Sequence, residues 1–187
     1  MTYSLRLENA IRIASQYHDG QRRKEHDRLP YVSHVFSVAA LVSNFIDDED
    51  VIIAALLHDT VEDTNMTYEE LEDLFGENVR TLVENVSEPK SIFSWKGRKD
   101  AYLQRLEEGT QYGLLIAACD KVHNMQSKYR IYQTHGRDFV EKLGLLHEKY
   151  LWYHGEVLDI LKRKLEDTAL IALYEETFKK EKELLQS

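Results

Sequence analysis

The sequence predicts a single all-α domain, because helix-breaking residues are rare and strand-like alternation is scarce. Only two prolines and eight glycines occur among 187 residues, and few segments show the period of two that marks a strand. This length suits one domain with a sizeable core. We therefore expect one helical domain over residues 1–187, with no linker and no internal repeat.

Three helices are predicted in the first third of the chain. Leu7, Ala10, Ile11 and Ala14 stand at helical spacing, and Gly20 follows as a stop. The segment "QRRKEHDRLPY" is polar and basic and is expected to be a loop, with Pro30 suited to the first turn of the next helix. The predicted helices cover residues 4–18, 31–46 and about 50–62.

The rest of the chain is also predicted to be helical. Thr67 and Glu70 in "TYEE" have the spacing of a capping box, and Gly76 is a natural stop for the helix that they begin. Further helices are expected from there to about Val86, then over 96–108 and 111–133, with two or three more in 137–187.

Charge and composition exclude several classes of protein. The formal net charge is −9, from 24 basic and 33 acidic residues, so the chain lacks the basic surface that nucleic-acid binding needs. One cysteine excludes an internal disulfide and fits a reducing cytoplasm. No apolar run has the length of a signal peptide core or a membrane span. We expect a soluble cytoplasmic protein with no nucleic-acid or membrane partner.

Metal-capable side chains stand beside apolar stretches at separate places. His58 and Asp59 follow "VIIAALL", Asp120 follows "LLIAAC", and His34 precedes an apolar face of its own helix. An isolated buried carboxylate is costly unless it is paired or bound to a metal. A set of two imidazoles and two carboxylates suits Mn²⁺, Fe²⁺, Zn²⁺ or Mg²⁺ more than Ca²⁺, and it would leave coordination positions open for catalysis.

Two further acids follow the His-Asp pair at helical spacing. Glu62 stands four residues after His58, and Asp63 four after Asp59, so each is expected one turn beyond a ligand and on the same side. A carboxylate there can orient or deprotonate an attacking water, or protonate a leaving oxygen. Taken singly, each histidine is more simply a core residue, and Glu62 and Asp63 are more simply a solvated helix end. The order of all these residues together favours a metal site.

The motifs resemble the HD-domain superfamily of metal-dependent phosphohydrolases. More narrowly, "QRRK", "PYVSH", "AALLHDTVEDT" and "CDKVHNMQS" resemble segments of the hydrolase domains of RelA/SpoT proteins and of small alarmone hydrolases. The segment "TYEELEDLFGENVRTLVENVS" is similar to the one that follows in that family. The resemblance covers about residues 5–131 and fades over the C-terminal extension at 137–187.

The resemblance implies a Mn²⁺-dependent pyrophosphohydrolase on an all-helical domain. It implies removal of the 3′-pyrophosphate from guanosine 3′,5′-bis(diphosphate), a small phosphorylated nucleotide. The roles that it carries over are these: metal ligands His34, His58, Asp59 and Asp120; water-handling acids Glu62 and Asp63; substrate contacts Arg23, Lys24, Asn124 and Ser127.

Some departures from the family leave the substrate open. Ser33 and Val35 flank His34 where the family often has Asn and Pro, and "SWKGRKDAY" differs from the usual segment. In it, Arg98 and Lys99 are possible phosphate contacts with Trp95 and Tyr102 beside them, or they are solvated while the two aromatic residues pack. The alternatives are therefore a phosphohydrolase for another nucleotide, including an NADPH phosphatase, and a nucleotide-binding module without turnover. The C-terminal helices can pack on the domain or form a homo-oligomer.

Overall fold

A computed structural model describes residues 2–23, 26–144 and 147–186 of the chain. Over these residues the chain is helical apart from one small hairpin, as the sequence predicts. The elements in chain order are α1 Leu5–Tyr17, β1 Arg22–Arg23, β2 His26–Pro30, α2 Val32–Val42, α3 Glu49–Leu57, α4 Thr60–Asp63, α5 Tyr68–Phe75, α6 Glu77–Val86, α7 Trp95–Glu108, α8 Gln111–His135, α9 Arg137–Lys142, α10 Glu148–Lys164 and α11 Thr168–Gln186.

The segment predicted as a loop forms an antiparallel hairpin instead. Strands β1 and β2 pair with Arg22 opposite Pro30, and the Tyr31 N–H donates to the Gln21 carbonyl at 3.0 Å. The residue before a proline avoids the helical region, which favours extended backbone at Leu29. These strands are short and show no alternation of apolar residues, so the sequence contains no pattern from which they could be predicted. Pro30 therefore ends a strand, and α2 begins at Val32.

The helix predicted over 50–62 is broken at its His-Asp pair. Helix α3 ends at Leu57, and α4 begins at Thr60. Two side chains bind carbonyls of the last turn: His58 Nδ1 lies 2.8 Å from the Ala55 oxygen, and Thr60 Oγ1 donates to the Leu57 oxygen at 2.6 Å. Such side-chain bonds compete with the helical backbone pattern, so the chain turns at His58 and Asp59. The preceding helix, α2, is also shorter than predicted and ends at Val42.

Helices α3 and α8 form the centre of the core. Residues 51–57 of α3 and 113–120 of α8 are all buried, as expected for helices that are apolar on every side. Helix α8 packs against α2, α6, α10 and α11. Asp120 thus belongs to the most enclosed stretch of the fold, which gives its carboxylate a strong need for a partner.

The predicted start and stop signals act as expected at several helix ends. Thr67 accepts a hydrogen bond from the Glu70 N–H at 3.1 Å, and Thr110 caps α8 through the Gly113 N–H at the same distance. Gly76 has φ of +88° between α5 and α6, and Gly136 has φ of +80° after α8. These left-handed conformations favour glycine.

The C-terminal helices share the core of the preceding ones. Tyr153, Leu161, Leu170 and Tyr174 are almost fully buried in one hydrophobic cluster with α1 to α8 residues. Among the described residues, no helix combines the length and the apolar character needed to cross a bilayer.

Candidate metal centre and active site

Side chains from three separate helical segments converge in the interior. His34 on α2, His58 after α3 and Asp120 on α8 are all buried, and one ligand atom of each lies within 4.8 Å of the others. His34 Nε2 is 3.1 Å from Asp120 Oδ1, and His58 Nε2 is 3.8 Å from the same oxygen. This is the spacing of groups that can share one cation.

Asp59 is the fourth member of this cluster. Its Oδ2 lies 3.2 Å from His58 Nε2 and 3.4 Å from His34 Nε2. Tyr31, just before α2, donates a hydrogen bond to the same oxygen at 2.6 Å. The turn at residues 58–59 thus brings neighbouring side chains of the sequence to one point.

The electrostatics of the cluster favour a positive charge. Burial alone would raise the pKa of Asp59 and Asp120, but the neighbouring cationic groups, His58 beside Asp59 and Lys121 beside Asp120, outweigh it and hold both pKa values well below the usual range. Burial alone would lower the pKa of His58, but Asp59 and Asp120 raise it well above its usual value. Two carboxylates that stabilise a buried imidazolium can stabilise a divalent cation in its place.

The hydrogen bonds of His58 fit a metal ligand. Its Nδ1 must carry the proton, because it faces the Ala55 carbonyl at 2.8 Å. Its Nε2 is buried without a hydrogen-bond partner within the described part of the chain. In the neutral ring this nitrogen carries a lone pair, which a divalent metal would accept in place of the proton. The donor set and this nitrogen therefore fit a divalent transition metal.

A polar network continues from Asp120 towards the hairpin. Asn124, one turn further along α8, donates to Asp120 Oδ1 at 2.6 Å and accepts from Arg23 Nη2 at 2.9 Å. Lys121 Nζ pairs with Asp120 Oδ2 at 2.5 Å. The network holds the Arg23 guanidinium beside the cluster of His34, His58, Asp59 and Asp120.

The two acids of α4 border the same cleft. Glu62 and Asp63 line a cavity of about 330 Å³ together with His34, Asp59 and Asp120. Glu62 accepts a hydrogen bond from the Glu88 N–H at 2.8 Å. Burial, supported by the charge of Asp59, raises the pKa of Glu62 to about 7. Asp63 is exposed at the rim of this cavity.

A larger cavity of about 690 Å³ adjoins the cluster between α2 and α8. Arg23, His123, Ser127 and Arg130 line it with small polar residues of α2. Arg23 borders both cavities. Ser127 therefore lines the larger cavity, whereas Asn124 lines the smaller one with the histidine and carboxylate cluster.

The remaining residues suggested by sequence lie in different settings. Lys24 is outside the described residues. Lys99 and Tyr102 line the 330 Å³ cavity, with Lys99 paired to Glu88. Arg98 pairs with Glu88 at 3.3 Å and donates to the Phe93 carbonyl at 3.0 Å.

The aromatic residues of the same segment both pack against the core. Trp95 packs against Tyr150, Trp152 and Tyr153, and Tyr102 is buried. The segment therefore combines the two arrangements that its sequence left open.

Sequence reasoning gave no role to three residues that the fold brings to the cluster. They are Tyr31, which contacts Asp59, Lys121, which pairs with Asp120, and His123, whose Nδ1 lies 2.8 Å from His34 Nδ1. Each stands one or three residues from a metal-capable side chain. These residues are thus near metal-capable side chains in sequence, but a Tyr, Lys or His at such positions is also common on ordinary helices.

Comparisons with known proteins agree with this geometry. A family model described as an HD domain matches residues 10–141. A guanosine-3′,5′-bis(diphosphate) 3′-pyrophosphohydrolase, MESH1 of Xenopus tropicalis, is 39% identical over 123 residues, which are 65% of this chain and 68% of that protein.

A longer relative and a solved structure are also proteins named for the hydrolysis of ppGpp. The bifunctional (p)ppGpp synthase/hydrolase SpoT of Escherichia coli is 28% identical over 188 residues, which are 97% of this chain and 26% of that protein. A solved structure of a metazoan ortholog of SpoT that hydrolyses ppGpp superimposes with a TM-score of 0.79 at 29% identity. That superposition covers 96% of this chain and 97% of the other.

Proposed function

The chain belongs to the HD-domain family, and from this premise we propose that it is a metal-dependent pyrophosphohydrolase of guanosine 3′,5′-bis(diphosphate). The observation that carries the proposal is the buried cluster of His34, His58, Asp59 and Asp120 with a carboxylate pair beside it. Relatives at 35–39% identity carry the name of that activity. We also propose a cytoplasmic location, because that is where a small nucleotide substrate would be met.

The four cluster residues would hold the metal, and we propose Mn²⁺ as the native ion. Mixed imidazole and carboxylate ligands suit this ion. When bound, a divalent metal lowers the pKa of water and polarises a phosphoryl oxygen. Tyr31 and Lys121 hold the two carboxylates in position from outside the cluster.

Glu62 and Asp63 are proposed to handle the attacking water. Glu62, with a pKa raised to about 7, accepts the proton of the water as its oxygen attacks the 3′-linked phosphorus from the side opposite the ribose 3′ oxygen. The new P–O bond replaces the bond from that phosphorus to the ribose 3′ oxygen. The products are pyrophosphate and GDP, with the 3′ oxygen taking up a proton. Asp63 orients the water from the exposed side.

Basic and polar residues of both cavities are proposed to bind the substrate. Arg23, held by Asn124 at 2.9 Å, offsets the pyrophosphate charge, and Lys24 is proposed to approach the base. Asn124 and Ser127 would contact the ribose and phosphates along α8. Lys99 lines the 330 Å³ cavity and is proposed to contact a phosphate. Arg98 is proposed to add a second positive charge next to it. These local cations matter because the chain as a whole is negative.

Initial rates of pyrophosphate release test this proposal. Purified protein with Mn²⁺ and guanosine tetraphosphate is expected to turn over, and Asp59→Ala and Glu62→Ala are expected to lose activity by at least about 100-fold. Glu69→Ala, at an exposed acid of α5, is the matched control and should keep the wild-type rate. NADPH and other nucleotides serve as parallel substrates. Turnover of one of them with the tetraphosphate inert would reassign the substrate, and no turnover of any would favour a binding module.

A further inference from the structure

The two histidines of the cluster are held by different kinds of partner. His58 Nδ1 faces a backbone carbonyl, that of Ala55. A carbonyl can only accept a hydrogen bond, so it fixes the proton on His58 Nδ1 and leaves Nε2 as the ligand atom. His34 Nδ1 instead faces another imidazole nitrogen, Nδ1 of His123, at 2.8 Å. That partner can donate or accept.

The direction of the bond between these imidazoles decides whether His34 can bind a metal. His34 Nε2 points at Asp59 and Asp120, at 3.4 and 3.1 Å, so Nε2 is the atom that would coordinate. A neutral imidazole with a free lone pair on Nε2 carries its proton on Nδ1. His34 must then donate to His123. His123 Nδ1 must be the acceptor, which leaves the hydrogen of that ring on its Nε2.

We infer that His123 is a positioning residue, which accepts a hydrogen bond from His34 and so holds it in the tautomer that coordinates metal through Nε2. The inference rests on the proposed metal site. It is supported by the burial of His34, which is 1% exposed and cannot satisfy its Nδ1–H with bulk solvent. The centroids of the two imidazole rings lie 4.8 Å apart, and the ring planes make an angle of 50°. Contact with His123 therefore also restricts rotation of the His34 ring.

The same arrangement gives His123 a second contact surface. His123 lines the 690 Å³ cavity with Arg23 and Ser127. With its Nδ1 occupied by His34, its Nε2–H becomes a donor on a residue of the cavity wall. One side chain therefore joins the metal ligand to a cavity whose residues are proposed to bind the substrate.

Metal affinity of matched variants tests the inference. His123→Asn keeps an acceptor oxygen close to the Nδ1 position, whereas His123→Leu and His123→Gln do not. Mn²⁺ affinity is measured by the electron paramagnetic resonance signal of the free ion. We expect His123→Leu and His123→Gln to bind Mn²⁺ about 10- to 100-fold more weakly than wild type, as for other residues that orient metal ligands, and His123→Asn to remain within about 3-fold. Circular dichroism of the metal-free variants establishes that they are folded, and the Gln variant replaces Leu if Leu is not.

The tautomer itself can be observed. Two-bond ¹H–¹⁵N spectra of the Zn²⁺-loaded wild type should show His123 protonated on Nε2 alone and His34 on Nδ1 alone. A proton on His123 Nδ1 would overturn the inference, and so would equal Mn²⁺ affinity of His123→Leu and wild type, or equal weakening in Leu and Asn. The metal site is judged separately, by loss of Mn²⁺ binding in His58→Ala. If wild type and His58→Ala bind alike, the proposed function fails and not only the role of His123.

Discussion

At the scale of single residues, the fold shifts the pKa of Glu62, the acid proposed to accept a proton from water. Its carboxylate accepts the Glu88 N–H at 2.8 Å, which would favour the charged form. Burial and the charge of Asp59 outweigh that bond and raise its pKa to about 7. A base with such a pKa is matched to neutral conditions.

The pH dependence of hydrolysis follows from this pKa. A general base acts in its deprotonated form, so kcat/KM should rise with pH through the pKa of Glu62 and level off above it. A metal bound to Asp59 would lower that pKa from the value of about 7 in the metal-free protein. Below the pKa of Glu62 the rate should fall about tenfold per pH unit. Glu62→Gln should lower the rate by roughly 100- to 10,000-fold and remove this step from the profile. An acid limb that persists unchanged in Glu62→Gln would be incompatible with Glu62 as the base.

At the scale of elements, a buried charged group joins α8, α10 and α11. Glu181 of α11 is 1% exposed and pairs with Lys128 of α8 and with His154 of α10, the latter at 2.5 Å. Burial by itself would raise the pKa of Glu181, but His154 and Lys128 lower it to about 2. The Glu181 carboxylate thus links the three helices through ion pairs.

Removing this carboxylate should destabilise the fold. Glu181→Gln leaves the Lys128 ammonium buried without its charged partner, which should cost about 3–5 kcal/mol of unfolding free energy, measured by urea denaturation. Glu183→Gln, on an exposed acid of the same helix, is the control and should change stability by less than about 0.5 kcal/mol. Equal stability of the two variants would mean that the ion pairs are not formed.

The loss of folding stability at low pH follows from the same carboxylate, that of Glu181. The folded pKa of Glu181, about 2, lies below the value of about 4.3 for an unfolded chain. The contribution of Glu181 is therefore complete above about pH 4.3 and is lost as the pH falls towards about 2. The difference in stability between wild type and Glu181→Gln should shrink over that range.

At the scale of the whole molecule, the metal should stabilise the fold because its ligands come from distant parts of the sequence. His34 on α2, His58 after α3 and Asp120 on α8 come from three segments that meet only in the folded state. Mn²⁺ at 100 times its dissociation constant should add about 2.7 kcal/mol to the unfolding free energy and raise the melting temperature. His58→Ala should show no such increase. An equal increase in that variant would place the bound metal elsewhere.

Sequence reasoning predicted much of this molecule and missed what depends on tertiary contacts. Helix bounds near Gly76 and Gly136 follow from local backbone chemistry, so they could be predicted. The break at His58 and Asp59 depends on side chains that bind the carbonyls of Ala55 and Leu57, and the sequence pattern there is continuous. The partners of the ligands, Tyr31 and His123, come from contacts that helical periodicity does not report.

The most direct test of the central claim is the identity of the products, measured by ³¹P nuclear magnetic resonance. With guanosine 3′,5′-bis(diphosphate) and Mn²⁺, the wild-type protein should produce pyrophosphate and GDP in equal amounts, and with Glu62→Gln both should form at least about 100-fold more slowly. Orthophosphate as the first product, or an unchanged substrate spectrum from protein that binds Mn²⁺, would contradict the assignment as a 3′-pyrophosphohydrolase.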